Sequence, residues 1–217
     1  MKIGIMQPYF FPYLGYWQLM NAVDKYVVYD DVNYIKGGWI NRNHILLNGK
    51  PHLINLFLKG SSPYKLINEI EVTHGSGDTK LLKTISMYYS KAKYYNDVFP
   101  LIQEIINNPE TVLSAYLVDS FKIINRYLGI GTEIILSSAL KKDCSLKGEE
   151  KVIHICKILN ADEYYNAIGG MELYSRERFQ ENGIKLSFLK TDEIAYPQFN
   201  HEFVPNLSII DVMMFNS

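Results

Sequence analysis

The stretch that decides the fold is Ile3-Gly4-Ile5-Met6-Gln7-Pro8-Tyr9-Phe10-Phe11-Pro12-Tyr13-Leu14-Gly15-Tyr16. It predicts a buried strand over residues 3–7, a polar and aromatic turn, and a helix over 14–22. A second apolar run at 25–30 ends on Asp30-Asp31, so the chain opens as a βαβ unit. Ligands of open α/β sheets bind outside the carboxyl ends of the strands, and we therefore expect a site at the turn after the first strand.

The pattern after residue 43 departs from a simple parallel sheet. Asn48-Gly49 separates apolar runs at about 44–47 and 53–58 and predicts a β-hairpin. Residues 67–72 suit a further strand. Between about 78 and 128 apolar residues recur at helical spacing, and prolines at Phe99-Pro100 and Asn108-Pro109 predict breaks that divide this section into three helices.

Residues 133–188 return to alternating strands and helices, with strands at 133–136, 163–166 and 185–188. Helices are expected over 148–159 and 172–182, and Gly183 stands where a glycine ends the second of them. We predict one domain over residues 1–217, in which 1–60 and 130–217 form the α/β part. About 78–128 would form a helical subdomain.

Composition bounds the function classes. The 217 residues are 47% hydrophobic and 21% charged with a net charge of −1, which fits a globular protein and disfavours duplex nucleic acid or an anionic membrane as partner. The start lacks a signal-peptide pattern, and no stretch approaches about 18 apolar residues, so we expect a cytoplasmic protein without membrane insertion. Two cysteines, Cys144 and Cys156, fit a reducing compartment.

The loop from Asp31 to Asn43 holds the densest set of candidate binding residues. Lys36 and Arg42 offer positive charge for phosphate, Trp39 offers a stacking face, and Asn41 and Asn43 offer amides for hydroxyl or amide groups. These residue types suit a nucleotide or a sugar phosphate. The alternative is that the asparagines cap turns and the tryptophan anchors the loop on the core.

Candidate acid–base residues follow the first two strands. Gln7 and the pair Asp30-Asp31 are expected at neighbouring strand ends, where one aspartate would act as a general base or, alternatively, cap a turn. His44 directly follows Asn43, and a histidine side chain is a candidate acid or base. No further carboxylates lie within sequence reach of the aspartate pair, so we predict no metal.

A glycine pair marks a second candidate binding turn. In Tyr165-Asn166-Ala167-Ile168-Gly169-Gly170, the glycines precede the helix expected from about Glu172. Backbone N–H groups at a helix start favour phosphate or carboxylate, although two glycines also serve simply to make a turn.

Five ordered motifs carry a resemblance to a known family. They are Met6-Gln7-Pro8-Tyr9-Phe10-Phe11-Pro12-Tyr13-Leu14-Gly15-Tyr16, Asp30-Asp31-Val32, Lys36-Gly37-Gly38-Trp39-Ile40-Asn41-Arg42-Asn43, Tyr165-Asn166-Ala167-Ile168-Gly169-Gly170 and Leu207-Ser208-Ile209-Ile210-Asp211. Together they resemble the WbqC-like family of bacterial proteins. That family is associated with surface-polysaccharide and O-antigen gene clusters, so the resemblance implies work on nucleotide-linked amino sugars.

The first turn is also similar to the phosphate-binding turn of nucleotidylyltransferases, which carries two histidines. Tyr13 and Tyr16 stand at those positions here. A neutral tyrosine donates one hydrogen bond but supplies no imidazolium, and this difference argues against nucleotidyl transfer. The resemblance implies a nucleotidylyltransferase-like, Rossmann-like sheet.

The resemblance to the WbqC-like family thus implies an α/β transferase of surface-polysaccharide biosynthesis that acts on a dTDP- or UDP-linked amino sugar. The expected reaction is N-acyl or N-aminoacyl transfer, for example of glycyl, which requires an activated acyl or aminoacyl donor. Expected catalytic residues are Asp30, Asp31, His44 and Tyr13, and expected substrate-binding residues are Gln7, Tyr9, Tyr16, Lys36, Trp39, Asn41, Arg42, Asn43, Gly169 and Gly170. A nucleotidylyltransferase and a non-catalytic nucleotide-sugar-binding module are the alternatives.

Overall fold

A computed structural model describes residues 1–216 as two compact units. The first unit comprises residues 1–7, 15–31 and 129–191. The second comprises residues 8–14, 32–128 and the chain from Asp192 onward.

The first unit is built on a five-stranded, entirely parallel sheet. Its strands are β1 (Lys2–Met6), β2 (Lys25–Val28), β7 (Glu133–Leu136), β8 (Glu163–Ala167) and β9 (Lys185–Leu189), and they lie in the order β7-β2-β1-β8-β9. Counted within this unit, the order is 3-2-1-4-5, that of doubly wound sheets. The direction of winding reverses between β1 and β8, which is where such folds place ligands.

Helices cover this sheet because each carries an apolar face. α1 (Leu14–Asn21) buries Tyr16 against Tyr26 of β2, with ring centroids 5.5 Å apart. α5 (Gly148–Ile158) and α6 (Arg176–Glu181) bury Ile155 and Phe179 in the main core of the sheet. The predicted α/β fold with a parallel, Rossmann-like sheet is confirmed.

The second unit contains two separate two-stranded antiparallel sheets and most of the helices. Its strands are β3 (Arg42–Leu47), β4 (Lys50–Asn55), β5 (Leu58–Lys59) and β6 (Glu71–Val72), and its helices are α2 (Ser76–Tyr89), α3 (Tyr95–Ile106), α4 (Leu113–Leu128) and α7 (Ile209–Phe215). β3 and β4 form the hairpin predicted from Asn48-Gly49, in which both residues have positive φ. No helix among the described residues is long and apolar enough to cross a membrane.

A buried carboxylate fixes α7 within the second unit. Asp211 is fully buried and accepts hydrogen bonds from the Tyr89 hydroxyl, the Tyr196 hydroxyl and Gln198 Nε2, each at 2.7 Å. The Tyr89 hydroxyl in turn accepts from the backbone N–H of Leu46 at 2.7 Å. These contacts join α7, α2 and β3 through one polar network.

Three local predictions were wrong. Helix α3 continues through Pro100. The proline has no N–H to donate to the Asn96 carbonyl, but both residues face solvent, so this carbonyl is not buried without a partner. Most of 67–72 is not a strand: Ile67–Glu69 is a 3-10 turn, stabilised by the Glu69 carboxylate accepting from Leu66 N at 2.7 Å.

The third concerns the helix expected from Glu172. α6 begins at Arg176, because Ser175 caps it by accepting a hydrogen bond from the Arg178 backbone at 3.2 Å. Residues Ile168–Leu173 form a 3-10 helix instead. Gly183 does end α6, with φ of 73°.

Candidate functional site

The carboxyl ends of the parallel strands gather polar residues in the first unit. β1 and β2 are neighbours in register, and Tyr29 N donates to the Met6 carbonyl at 2.8 Å, so Gln7 and Asp30 follow adjacent strand ends as predicted from the sequence. Ser137 and Ser138 follow β7, the next strand on the other side of β2. The ends of three neighbouring strands, β1, β2 and β7, thus each lead into polar residues.

Asp30 holds the segment after β7. Its side chain is fully buried, and its two oxygens accept from the Ser138 backbone N–H at 2.9 Å and from the Ser138 hydroxyl at 2.6 Å. Both oxygens already have a hydrogen-bond donor. A structural role for Asp30 is thus evident, and its catalytic role stays a prediction.

Asp31 is paired with two lysines that the sequence analysis did not select. Its Oδ2 lies 2.8 Å from Lys142 Nζ and 3.0 Å from Lys151 Nζ. Burial raises the pKa of the Asp31 carboxyl, but the hydrogen bonds from Lys142, Ser137 and Lys151 outweigh it, and the pKa is lowered overall. A carboxylate with a lowered pKa is a weak proton acceptor.

The two lysines are held from several sides. Lys142 also donates to the Ser137 carbonyl, and Lys151 donates to the Asp31 carbonyl at 2.9 Å and lies 4.9 Å from the Tyr29 ring centroid. One sequence signal could have identified Lys151: it lies next to Val152 and one turn before Ile155, on the buried side of α5.

The glycine pair follows β8, beside the point where the sheet reverses. Gly169 is exposed, whereas Gly170 is buried against the side chain of Asn166. A Cβ at position 170 would overlap the Asn166 amide nitrogen, so any other residue there would force the Asn166 side chain to move. Neither glycine stands at the start of α6, and the helix-start argument for anion binding therefore does not apply to them.

The second unit contains an aromatic cavity of about 340 Å³. The residues that line it are Tyr9, Pro12, Tyr13, Trp39, Asn43 and Asn206. Tyr13 and Trp39 remain 38% and 45% exposed, so their rings are open to a ligand. The lining is mostly apolar and includes two amide side chains, Asn43 and Asn206, which suits a flat, neutral, hydroxyl-bearing group.

Asn43 builds the floor of this aromatic cavity. Its Nδ2 donates to the carbonyls of Phe10 and Phe11 at 3.1 and 2.7 Å, and its Oδ1 accepts from His44 N at 2.8 Å. Phe11 has φ of 43°, an unfavourable value for a phenylalanine. The buried amide thus stabilises a strained turn that presents Pro12 and Tyr13.

Arg42 and Asn41 maintain the predicted binding loop. Arg42 donates through Nε to the Gly38 carbonyl at 3.0 Å and through Nη2 to the Gly37 carbonyl, and its guanidinium lies 5.8 Å from the Trp39 ring centroid. Asn41 accepts from the Tyr34 hydroxyl at 2.8 Å. Arg42 therefore donates two of its hydrogen bonds within its own loop. Lys36, in contrast, is exposed.

His44 lies beside the aromatic cavity. Its ring centroid is 5.4 Å from that of Trp39, edge to face, and its backbone carbonyl accepts from Ser208 N at 2.9 Å. The imidazole is partly exposed. Among the predicted acid–base residues, Tyr13 lines this cavity, and His44 contacts its lining residue Trp39 without lining the cavity itself.

The two tyrosines at the histidine positions differ in their surroundings. Tyr13 lines the aromatic cavity, whereas Tyr16 is 2% exposed and its hydroxyl donates to the Gln7 carbonyl at 3.0 Å. Tyr9, the neighbour of Tyr13 across the cavity, has a pKa raised by burial and by the Tyr13 phenol.

Comparison with known proteins assigns the chain to a family. It is similar to an uncharacterized protein of Mycobacterium tuberculosis, Rv1507c, with 26% identity over 99% of this chain and 93% of that protein. No solved structure matches significantly. A model of the WbqC-like protein family matches residues 7–217, and the chain therefore belongs to the WbqC-like protein family.

Proposed function

We propose that this protein is a transferase of surface-polysaccharide biosynthesis that acylates the amine of a nucleotide-linked amino sugar. The observation that carries the proposal is the aromatic cavity of about 340 Å³, formed by Tyr9, Tyr13 and Trp39 with the amides of Asn43 and Asn206. Family membership and the gene-cluster association implied by the resemblance supply the biosynthetic context.

The cavity lining selects the part of the substrate that enters. None of the six described lining residues carries a formal charge, so a phosphate would find no ionic partner in the cavity. A sugar or base ring presents apolar faces to aromatic rings and a polar edge to the Asn206 amide, since the Asn43 amide is already hydrogen-bonded within the protein. We therefore assign the cavity to the sugar or the base, not to the phosphates.

The reaction needs a group that removes a proton from the attacking amine. The amine nitrogen attacks the carbonyl carbon of a thioester or aminoacyl ester, a C–N bond forms, and the C–S or C–O bond breaks with its electron pair leaving on sulfur or oxygen. His44 takes the amine proton and passes it to the leaving group. Asp31 suits this role less because its lysine pairs lower its pKa.

Thermal shift with dTDP- and UDP-amino sugars is the first test. A ligand at about 100 times its Kd stabilises the fold by roughly 2.7 kcal/mol. We expect Trp39→Ala to abolish the shift and Tyr64→Ala, a matched aromatic truncation at a 91% exposed position, to preserve it. Equal shifts in both variants would exclude the cavity as the binding site.

Turnover separates the proposal from its alternatives. With a nucleotide amino sugar and an acyl thioester or aminoacyl donor, mass spectrometry should detect the added acyl group on the sugar, and His44→Gln should lower kcat while substrate binding persists. Binding without any product would indicate a binding module. Consumption of a nucleoside triphosphate with release of pyrophosphate would indicate nucleotidyl transfer.

A further inference from the structure

We infer that a second cavity, of about 460 Å³ in the second unit, binds the acyl donor as a thioester on a flexible, phosphate-bearing arm. The inference rests on the proposed acyl transfer, because it names the donor class for that reaction. Three features support it: a strained turn in the cavity wall, a lining that has a cation but no acid, and the position of the cavity on strand β3.

A strained turn forms one wall of the second cavity. The Gln198 carbonyl accepts from the backbone N–H of His201 at 3.3 Å, so residues 198–201 form a tight turn, and both Phe199 and His201 line the cavity. Phe199 has φ of 54°. Among the described residues, the other phenylalanine with a left-handed φ is Phe11, in the turn beside the aromatic cavity. Strain of this kind persists where the surrounding structure maintains it, and it concentrates at binding sites.

The side chain of Gln198 maintains this turn. It is 1% exposed, its Oε1 accepts from Val204 N at 2.6 Å, and its Nε2 donates to the Val204 carbonyl at 3.0 Å and to Asp211 at 2.7 Å. Both ends of the amide are therefore used to hold the chain on either side of Phe199 in place. The wall exists before any ligand arrives, which lowers the entropic cost of binding.

The lining of the second cavity combines apolar side chains with a positive charge. Leu46, Met87 and Phe199 supply apolar surface, and Met87 is 67% exposed. Lys91 supplies the charge, and none of the ten described lining residues is an aspartate or a glutamate. An apolar chain with an anionic end matches this lining, because its anion meets a cation and no like charge.

Polar side chains narrow the choice of donor. Asn48, Ser90 and Asn200 offer donors and acceptors for amide groups along the arm of a thioester. An aminoacyl ester of RNA needs a broad basic surface, whereas Lys91 is the one lysine in the described lining and the whole chain has a net charge of −1. The lining thus favours the thioester over the RNA ester.

Strand β3 joins the second cavity to the aromatic cavity. Asn43 lines the aromatic cavity and Leu46 lines the second, three residues further along β3, which corresponds to about 10 Å. His44 lies between them, and side-chain alternation places it on the same face of β3 as Leu46. The proposed proton acceptor therefore stands on the strand segment between the sugar site and the donor site.

Calorimetric titration with acetyl-coenzyme A and with pantetheine tests the site. Pantetheine keeps the arm but lacks phosphate, so we expect it to bind at least about tenfold more weakly. Lys91→Met should weaken acetyl-coenzyme A binding about fivefold and leave pantetheine binding unchanged, which separates loss of the charge from loss of the fold. Lys83→Met, at an exposed position of α2 outside the cavity lining, is the control and should change neither affinity.

Phosphopantetheine distinguishes two sources of the same arm. Affinity equal to that of acetyl-coenzyme A would indicate the arm of a carrier protein, and weaker binding would indicate coenzyme A itself. No binding of either phosphate-bearing compound, equal affinity for pantetheine, or equal effects of Lys83→Met and Lys91→Met would overturn the inference. Transfer that proceeds only from an aminoacyl-RNA would overturn it as well.

The aromatic cavity is tested separately with Trp39→Ala. This variant should lose nucleotide amino-sugar binding and keep acetyl-coenzyme A binding, because Trp39 lines the aromatic cavity and not the second cavity. Sugar binding without donor binding in the unaltered protein overturns the donor site and leaves the proposed function with another donor. Lys91-dependent donor binding without any sugar binding supports the thioester site and counts against the proposed function.

Discussion

Lys142 Nζ lies 2.8 Å from Asp31 Oδ2, and the Lys142 side chain is only 2% exposed. The pair joins the end of β2 to the segment after β7, two elements separated by more than a hundred residues of chain. Removing one member of a buried ion pair leaves the other charge without compensation, which costs more than the pair itself contributes.

Asp31→Asn should therefore destabilise the fold by about 3–5 kcal/mol. The pKa of Asp31 is lowered by its lysine partners, so its contribution is present above the ordinary value of 3.8 and is lost as pH falls through the folded-state pKa. Urea unfolding at pH 7 and at several pH values below 3.8 would measure this loss. Asp192→Asn, at an exposed position, is the control and should leave the curve unchanged.

Asp211 should give a pH dependence of opposite sign. Burial raises the pKa of this carboxyl above 3.8, although Tyr89, Tyr196 and Gln198 donate to it. A raised folded-state pKa means that stability is greatest below the unfolded pKa and falls as pH rises through the folded pKa. Asp211→Asn should remove that decline and cost about 1–3 kcal/mol, because hydroxyl donors lose a charged acceptor.

Denaturation midpoints at several pH values above 4 test this prediction. Tyr196→Phe is the companion variant, since it removes one donor to Asp211 and should raise the carboxyl pKa further. A midpoint curve for Asp211→Asn that parallels the unaltered protein would show that this carboxyl does not titrate differently on folding.

Much of the first unit could be predicted from sequence because its signals are local. The apolar runs at Lys2–Met6 and Glu133–Leu136, and Gly183 at the end of α6, each indicate one backbone conformation without help from distant residues. The order of the strands in the sheet could not be predicted in this way. It depends on which strands pair after long intervening segments, and no local residue pattern indicates that pairing.

The site was predicted less fully, for a physical reason. Tyr13 and Trp39 were selected for their aromatic rings, and both line one cavity. Lys142 and Asn206 were not selected, because a surface-type residue in a loop carries no sign that folding buries it or places it at a cavity. From the sequence, Asp31 was a candidate general base without an ionic partner. Only the folded chain brings Lys142 and Lys151 to it.

The glycine pair offers a matched test of close packing. Gly170→Ala should destabilise the fold by about 1–3 kcal/mol, because the new methyl group would overlap the Asn166 amide. Gly169→Ala should be nearly neutral, since no atom lies within 4 Å of a Cβ there. Thermal denaturation of both variants measures the difference. Ligand binding that is lost in Gly169→Ala despite normal stability would instead support the predicted substrate-binding role of this glycine.

We expect a substitution of Asn43 to affect both the stability of the fold and ligand binding in the aromatic cavity. Asn43→Asp replaces the amide that donates to the Phe10 and Phe11 carbonyls with a carboxylate that repels them. We expect a loss of about 2–4 kcal/mol and weaker binding of any ligand of the aromatic cavity, because the strained turn at Phe11 loses its support. Asn55→Asp makes the same chemical change at an exposed position on the paired strand β4 and serves as control. Urea unfolding of both variants measures the difference, and equal losses of stability in Asn43→Asp and Asn55→Asp would show that the contacts of the Asn43 amide do not support the turn.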